Sequence, residues 1–149
     1  MKEYVLDASV LVKWAVPENN EEHTDIALEL LAAFEHGNIE LLEPVHWLCE
    51  VSAVLCRISA STVNRKTQLL RTLEIPEINI PEIFTTACDL AVNLDHHLFD
   101  TLYHAVAIEK GLTLITADTR YYRKANGLGH IELLANVKTM GIPPERNPA

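Results

Sequence analysis

The sequence predicts a three-layer α/β/α sandwich around a central, mostly parallel sheet of about five strands. Three observations predict it. Short β-prone apolar runs at residues 4–6, 39–42, 75–80, 112–115 and 131–134 alternate with longer stretches whose apolar residues recur at helical spacing. The alternation continues without a linker or an internal repeat, so residues 1–140 read as one domain. Two of the apolar runs lead into a carboxylate, Asp7 after the first and Asp118 after the fourth, where open parallel sheets hold their ligands.

Residues 4–6 (YVL) form the first strand, and Asp7 stands where it can cap the helical turn that runs on to Trp14. After Val16-Pro17, the stretch ENNEEHTDIALELLAAFEHGN has acids at its start, Leu and Ala along one face, and His36-Gly37 at its end. That is the pattern of an amphipathic helix. Residues 39–42 make a second short strand, stopped by Glu43-Pro44. Residues 45–58 (VHWLCEVSAVLCRI) are apolar on most sides and form a buried helix carrying Glu50; another helix covers 61–73. A third strand lies within 75–80 (IPEINI), and Pro81 opens the next helix, to about residue 93, where its missing N–H is not needed. Asp100 precedes TLYHAVAIEK, whose Leu102, Ala105, Val106 and Ile108 share one face, so it occupies an N-cap site. Lys110-Gly111 closes that helix with a cation and a glycine. Residues 112–115 are a buried strand, too short for a helix. Beyond Asp118 come a short helix at 121–125, a turn at Asn126-Gly127 and Gly129, and a last strand at 131–134. The tail 141–149 (GIPPERNPA) is proline-rich and expected to be loosely held.

With 149 residues, 48% of them apolar, the chain is long enough for a sizeable core and is not a disordered tail. A formal net charge of −9 argues against a protein that grips nucleic acid through its overall charge. It leaves a nuclease open, because metal-binding carboxylates count as negative until a cation offsets them. Within this acidic chain, residues 51–73 carry Arg57, Arg65, Lys66 and Arg71 and no acid. They form either a solvated helical hairpin or a positive surface for phosphates or an acidic partner. Cys49, Cys56 and Cys88 fall within apolar helical patterns with no CxxC pair, which points to buried free thiols in a reducing compartment. Asp7 and Lys13 interrupt the first apolar run, so it is neither a signal peptide nor a membrane span, and a cytoplasmic protein is expected.

Asp7, Glu50, Asp100 and Asp118 are distant in sequence, yet a parallel sheet can bring them to one edge. Each alone has a plainer explanation: a strand-end Asp is a common cap, and Glu50 can face solvent. Glu50 is the most informative of them. A carboxylate among Trp47, Leu48, Val51 and Val54 is costly unless a cation or a proton meets it. Hard oxygen ligands without a Cys/His set suit Mg²⁺ or Mn²⁺. Such ions support phosphodiester hydrolysis by activating a water and stabilising the leaving oxygen.

Four local patterns carry a family resemblance: DAS after the first strand, Pro44, Trp47 and Glu50 spaced P-x-x-W-x-x-E, FDTLYHAVA, and LITAD. In this order and spacing they resemble PIN-domain ribonucleases, in particular the VapC-type toxins of prokaryotic toxin–antitoxin pairs, over nearly the whole chain. The resemblance implies that Asp7, Glu50, Asp100 and Asp118 form a metal-binding acidic pocket, with the hydroxyls of Ser9 and Thr116 lining it. It also implies cleavage of single-stranded or looped RNA, a homodimer, and silencing by a small VapB-like antitoxin whose C-terminal segment covers the acids. Some relatives carry a further acid or amide just after the position of Asp118. Here Thr119-Arg120-Tyr121-Tyr122 follow, so one metal or two remains open.

Other arrangements compete with this one. His46 and Glu50, and Asp100 and His104, are four apart and could build a mixed His/carboxylate site for manganese or iron. His96-His97 lies in a loop beside Asp100, either exposed or in contact with RNA. Lys13 is either a snorkelling surface lysine or a phosphate contact. A haloacid-type phosphatase would need an acid where Ser9 stands, and a phospho-receiver would need paired acids and a lysine ending a later strand. The remaining rival is a PIN fold that has lost cleavage and acts only as a binding module for a protein or RNA partner.

Overall fold

The computed structural model describes residues 1–138, so the tail expected at 141–149 lies outside the described residues. In chain order the elements are β1 (Lys2–Leu6), α1 (Ala8–Ala15), α2 (Thr24–Glu35), β2 (Ile39–Leu41), β3 (Glu43–Pro44), α3 (Trp47–Ile58), α4 (Val63–Thr72), β4 (Glu77–Ile78), α5 (Pro81–Leu94), α6 (Leu98–Lys110), β5 (Thr113–Thr116), α7 (Thr119–Ala125) and β6 (Ile131–Leu133). The main sheet is parallel throughout, in the order β2-β1-β5-β6. Tyr4 of β1 stands opposite Leu41 on one side and Thr113 on the other. Consecutive residues Tyr4, Val5 and Leu6 are buried, as are Leu114 and Ile115. Successive side chains of a strand point to opposite faces, so both faces are covered and the architecture is the expected α/β/α sandwich.

The strands divide differently from the expected single sheet. Leu42 still donates its N–H to Tyr4 O at 3.1 Å, but the Glu43 N–H turns to Pro76 O at 2.9 Å. Pro44 then has no N–H with which to rejoin β1. The result is a separate two-stranded parallel ladder, β3 with β4, in which Glu43 faces Glu77 and Pro44 faces Ile78.

Helix boundaries follow caps and backbone more than composition. Asp7 caps α1 by accepting the Ser9 N–H. The Trp14 indole N–H donates to Ala27 O at 2.7 Å and fixes α1 against α2. α2 begins later than its acidic approach suggests, because Asn20 and His23 take φ of 45° and 62°, which no helix interior accepts. α6 begins before Asp100: the N–H groups of Asp100 and Thr101 both reach His97 O, so His97 holds the N-cap place and Asp100 lies in the first turn. An acid there still faces the positive end of the helix.

The thiols also differ from expectation. Cys49 and Cys56 are exposed and Cys88 is half-buried, all of them free. α3 buries Trp47, Val51 and Leu55, spaced four apart, and that stripe leaves Cys49 and Cys56 on its other side. No helix among the described residues is long and apolar enough to cross a membrane.

Glu43 is the most unusual core residue. It is fully buried, with one oxygen accepting the Leu6 N–H at 2.7 Å and the other without a hydrogen bond. Burial pushes its carboxyl well above the ordinary 4.5, although the Leu6 bond opposes this. A carboxyl raised in this way contributes fully to stability below pH 4.5, and the contribution is lost as pH rises through the folded value. Glu43→Gln keeps an acceptor for the Leu6 N–H and cannot ionise. In chelator at about pH 8 it should melt above the parent, by about 2–4 °C per kcal/mol recovered, with the gap closing as pH falls towards 4.5. A gap independent of pH would mean that Glu43 does not titrate across this range.

Candidate active site

β1 and β5 are parallel neighbours, so their carboxyl ends leave the sheet at one edge and deliver Asp7 and Asp118 there. The ladder extends a step past β1, with the Asp7 N–H donating to Ile115 O at 2.9 Å. Ser9 ties the two strand ends together: its hydroxyl donates to Asp7 Oδ2 at 2.5 Å and accepts the Ala117 N–H at 3.0 Å. Thr116 Oγ1 accepts the Asp118 N–H at 3.0 Å, and Asp118 Oδ1 accepts the Tyr121 N–H at 3.1 Å, capping α7. α3 supplies Glu50 and the first turn of α6 supplies Asp100. Asp7, Glu50, Asp100 and Asp118 line one cavity of about 390 Å³, together with Ser9, Lys13 and Glu21. Thr116 is fully buried and is not among the lining residues.

The acids feel one another. Burial pushes the Asp7 carboxyl up to about 7, against two hydrogen bonds from Ser9 and with help from the charges of Asp100 and Glu50. Asp100 is raised as well, by burial first; a hydrogen bond from His96 opposes the rise, and the charges of Glu50 and Asp118 add to it. Glu50 is half-buried, but its Oε2 is sealed from solvent and accepts no hydrogen bond. His46 Nε2 lies 3.5 Å from that oxygen while donating to Phe99 O at 2.9 Å, so its proton is already committed. The Tyr103 hydroxyl is also buried without a partner. Burial, with Glu50, Asp7, Glu43 and Asp100 nearby, holds that phenol above its ordinary value and therefore neutral.

Two cavity neighbours differ from their simplest sequence reading. Lys13 is only 7% exposed, and its Nζ donates to Glu21 Oε2 at 3.1 Å on the cavity wall. The His96 side chain is also only 7% exposed, with Nε2 2.8 Å from Asp100 Oδ2. Its four-residue spacing from Asp100 was visible in the sequence, but it precedes α6, so helical periodicity did not flag the contact. Among the described residues, His96, Asp100 and Asp118 each bring a possible metal-ligand atom within 4.8 Å of the others. Of the two pairs at helical spacing, His46 approaches Glu50 to 3.5 Å without a hydrogen bond, and Asp100–His104 does not form. His104 is held by Tyr121 OH and Gly129 O, both at 2.8 Å.

The basic segment lies elsewhere. Arg57, Arg65 and Arg71 are exposed and none lines the acidic cavity. Lys66 drops out of the expected positive surface, because it is buried with its Nζ bonded to Glu18 and, at 3.1 Å, to Ser59 Oγ.

A family model described as PIN domain matches residues 4–127. Among solved structures, the chain is similar to PAE2754 from Pyrobaculum aerophilum, at 20% identity and a TM-score of 0.63, covering 90% of each chain. It is similar to a toxin–antitoxin complex from Klebsiella pneumoniae, at 16% identity and a TM-score of 0.60, covering 88% of this chain and 97% of that one. VapBC2 from Rickettsia felis, bound to a DNA fragment from its promoter, matches at 19% identity and a TM-score of 0.62, covering 88% of this chain and 98% of that one. At these identities the likeness is one of fold. No curated protein matches the chain.

The raised Asp7 carboxyl generates a test of the cavity as a cation site. A cation that uses Asp7 must displace its proton while the pH is below about 7. Mn²⁺ affinity measured by calorimetry should strengthen by up to about tenfold per pH unit as pH rises towards that value, then level off. An affinity that ignores pH would remove Asp7 from the ligand set.

Proposed function

The chain belongs to the PIN domain family, and on that premise we propose that it is a Mg²⁺- or Mn²⁺-dependent endoribonuclease, the toxin of a toxin–antitoxin pair. The observation that carries this reading is Glu50 Oε2, a sealed carboxylate oxygen without a hydrogen bond, on a residue that shares its cavity with Asp7, Asp100 and Asp118. A carboxylate oxygen sealed from water without a hydrogen bond is costly, and a divalent cation shared with Asp7, Asp100 and Asp118 offsets the charge. The donor set fits that cation: carboxylate oxygens, no thiolate, and a half-open pocket suited to an ion that keeps some of its water. When bound, it supplies Lewis-acid activation of water and stabilisation of the charge that develops in phosphodiester cleavage.

The chain's own groups do the rest. Ser9 holds the Asp7 carboxylate and clips it to the β5 end, while Thr116 and the Tyr121 N–H hold Asp118. These bonds fix the acids before a substrate arrives, which is the preorganisation that electrostatic catalysis requires. Lys13 is the basic residue among those lining the cavity, and its Glu21 partner is on the more exposed side, at 39% against 9% for the two side chains. An RNA phosphate entering the cavity takes the place of Glu21 as the anion that Lys13 meets.

The partners follow from the same reading. Two of the similar structures are of toxin–antitoxin assemblies, which supports a VapB-like antitoxin for this chain. A homodimer in the cytoplasm, a PIN domain spanning residues 1–140, and RNA or partner contacts by Arg57, Arg65 and Arg71 belong to the proposal too. Asp7→Asn and Asp100→Asn should reduce RNA cleavage to background while leaving the metal-free fold as stable as the parent or slightly more so, since each relieves like-charge crowding. A variant that cuts at the parental rate would end the site assignment. Loss of the Mn²⁺-induced rise in melting temperature in the same variants separates a nuclease from a binding module that never held metal. Lys13→Gln should weaken RNA binding in Ca²⁺ and lower the slope of log affinity against log salt by about 0.7, one single-strand phosphate contact, without changing Mn²⁺ affinity. An unaltered slope would confine Lys13 to a structural pairing with Glu21.

A further inference from the structure

His96 makes contacts that a loop histidine packed only for shape would not need. Its backbone N–H donates to Ala91 O at 3.0 Å, just beyond the left-handed C-cap residue Asp95 of α5, whose φ is 49°. Its ring lies 4.8 Å from the Tyr121 ring, tilted by 51°. Both ring nitrogens are engaged: Nε2 lies 2.8 Å from Asp100 Oδ2, and Nδ1 lies 3.3 Å from Lys124 Nζ. Lys124 is itself anchored, its Nζ donating to Asp95 O at 2.8 Å.

These contacts assign the proton. A lysine ammonium has donors and no acceptor, so Nδ1 must present its lone pair to Lys124, and the ring proton sits on Nε2. His96 therefore donates to Asp100, and the chain of bonds runs from Lys124 through His96 to the carboxylate. From this geometry we infer that His96 is a positioning residue that holds Asp100 in its ligating orientation, with Lys124 fixing the tautomer that lets it do so. The inference rests on the reading of the acidic cavity as a metal centre.

A competing role is that His96 is itself a ligand, since its nitrogen lies within 4.8 Å of ligand atoms on Asp100 and Asp118. Ligation through Nε2 would move the proton to Nδ1, where it would point at the Lys124 ammonium, donor against donor. Lys124 thus disfavours ligation and favours donation. Partners that orient a metal ligand from outside its coordination shell set metal affinity, and losing one costs about 10–100-fold.

The test uses the full chain and Mn²⁺ alone, with affinity read by calorimetry and the bound ion by pulsed electron paramagnetic resonance. His96→Ala should weaken Mn²⁺ binding by about tenfold or more. His96→Gln, which keeps an N–H donor, should recover most of the loss, and Lys124→Met should weaken binding by a few fold. The Mn²⁺-loaded parent should show no strongly coupled ¹⁴N. Parental affinity in His96→Ala would overturn the inference, as would a Gln variant no better than Ala, parental affinity in Lys124→Met, or a directly bonded ¹⁴N in the parent. If His96→Ala fails to fold, the Gln and Lys124 variants and the parental spectrum still decide. A parent that binds no Mn²⁺ would overturn both this inference and the metal-centre reading. A parent that binds Mn²⁺ yet cuts no RNA would refute the nuclease reading alone and leave His96 to be judged on the affinities.

Discussion

Carboxylates facing one cavity repel one another, and partial burial strengthens the repulsion by removing the water that would screen it. Asp7 shows the constraint most clearly: burial first, with the charges of Asp100 and Glu50 adding to it, pushes its carboxyl up to about 7 from the ordinary 3.8, despite two hydrogen bonds from Ser9. Such a cluster survives in a folded domain only if the scaffold holds it and something offsets it. The scaffold is visible in Ser9, which bonds the Asp7 carboxylate and the Ala117 N–H together. The offset within the chain is small: hydrogen-bond donors reach Asp7, Asp100 and Asp118 but none reaches Glu50 Oε2, and the lysine on the cavity wall, Lys13, is bonded to Glu21.

Parallel pairing is what makes the cluster possible. Parallel strands bring their carboxyl ends to the same edge, so acids following β1 and β5 become neighbours although more than a hundred residues separate them. The same geometry brings the short ladder of β3 and β4 alongside, and the buried Glu43 of that ladder binds the Leu6 N–H one residue before Asp7. Core and site are thus joined through the backbone of β1. A change in protonation at Glu43 and a change in charge at Asp7 act on the same strand end.

The outer contacts distribute cations sparingly. Lys13 is paired with Glu21, Lys66 with Glu18, and Lys124 with the Asp95 carbonyl and His96. Three lysines that look interchangeable in the sequence thus have different duties. One lines the acidic cavity, one braces α4, and one sets the tautomer of a histidine bonded to Asp100. Within the basic segment of residues 51–73, the arginines Arg57, Arg65 and Arg71 stay exposed while Lys66 is buried.

The sequence alone determined the alternation of strands and helices, the Gly111 stop, the Pro81 start and the four acids worth following, because each is a local pattern of period, cap or charge. It misjudged what depends on neighbours distant in the chain. Asp100 lost the N-cap to His97 because backbone bonds, and not side-chain type, set where α6 begins. Cys49 and Cys56 face outward because α3 has one buried stripe where its composition suggested several buried sides. The strand expected at 75–80 lies outside the main sheet as β4, because the Glu43 N–H turns to Pro76 O and Pro44 cannot donate back to β1, which leaves β3 and β4 as a ladder of their own. Only the tertiary structure decided that Glu50 Oε2 is sealed, that Lys13 lies on the cavity wall and that His96 donates to Asp100. Burial and hydrogen-bond direction are properties of the assembled packing, and no local stretch of chain encodes them.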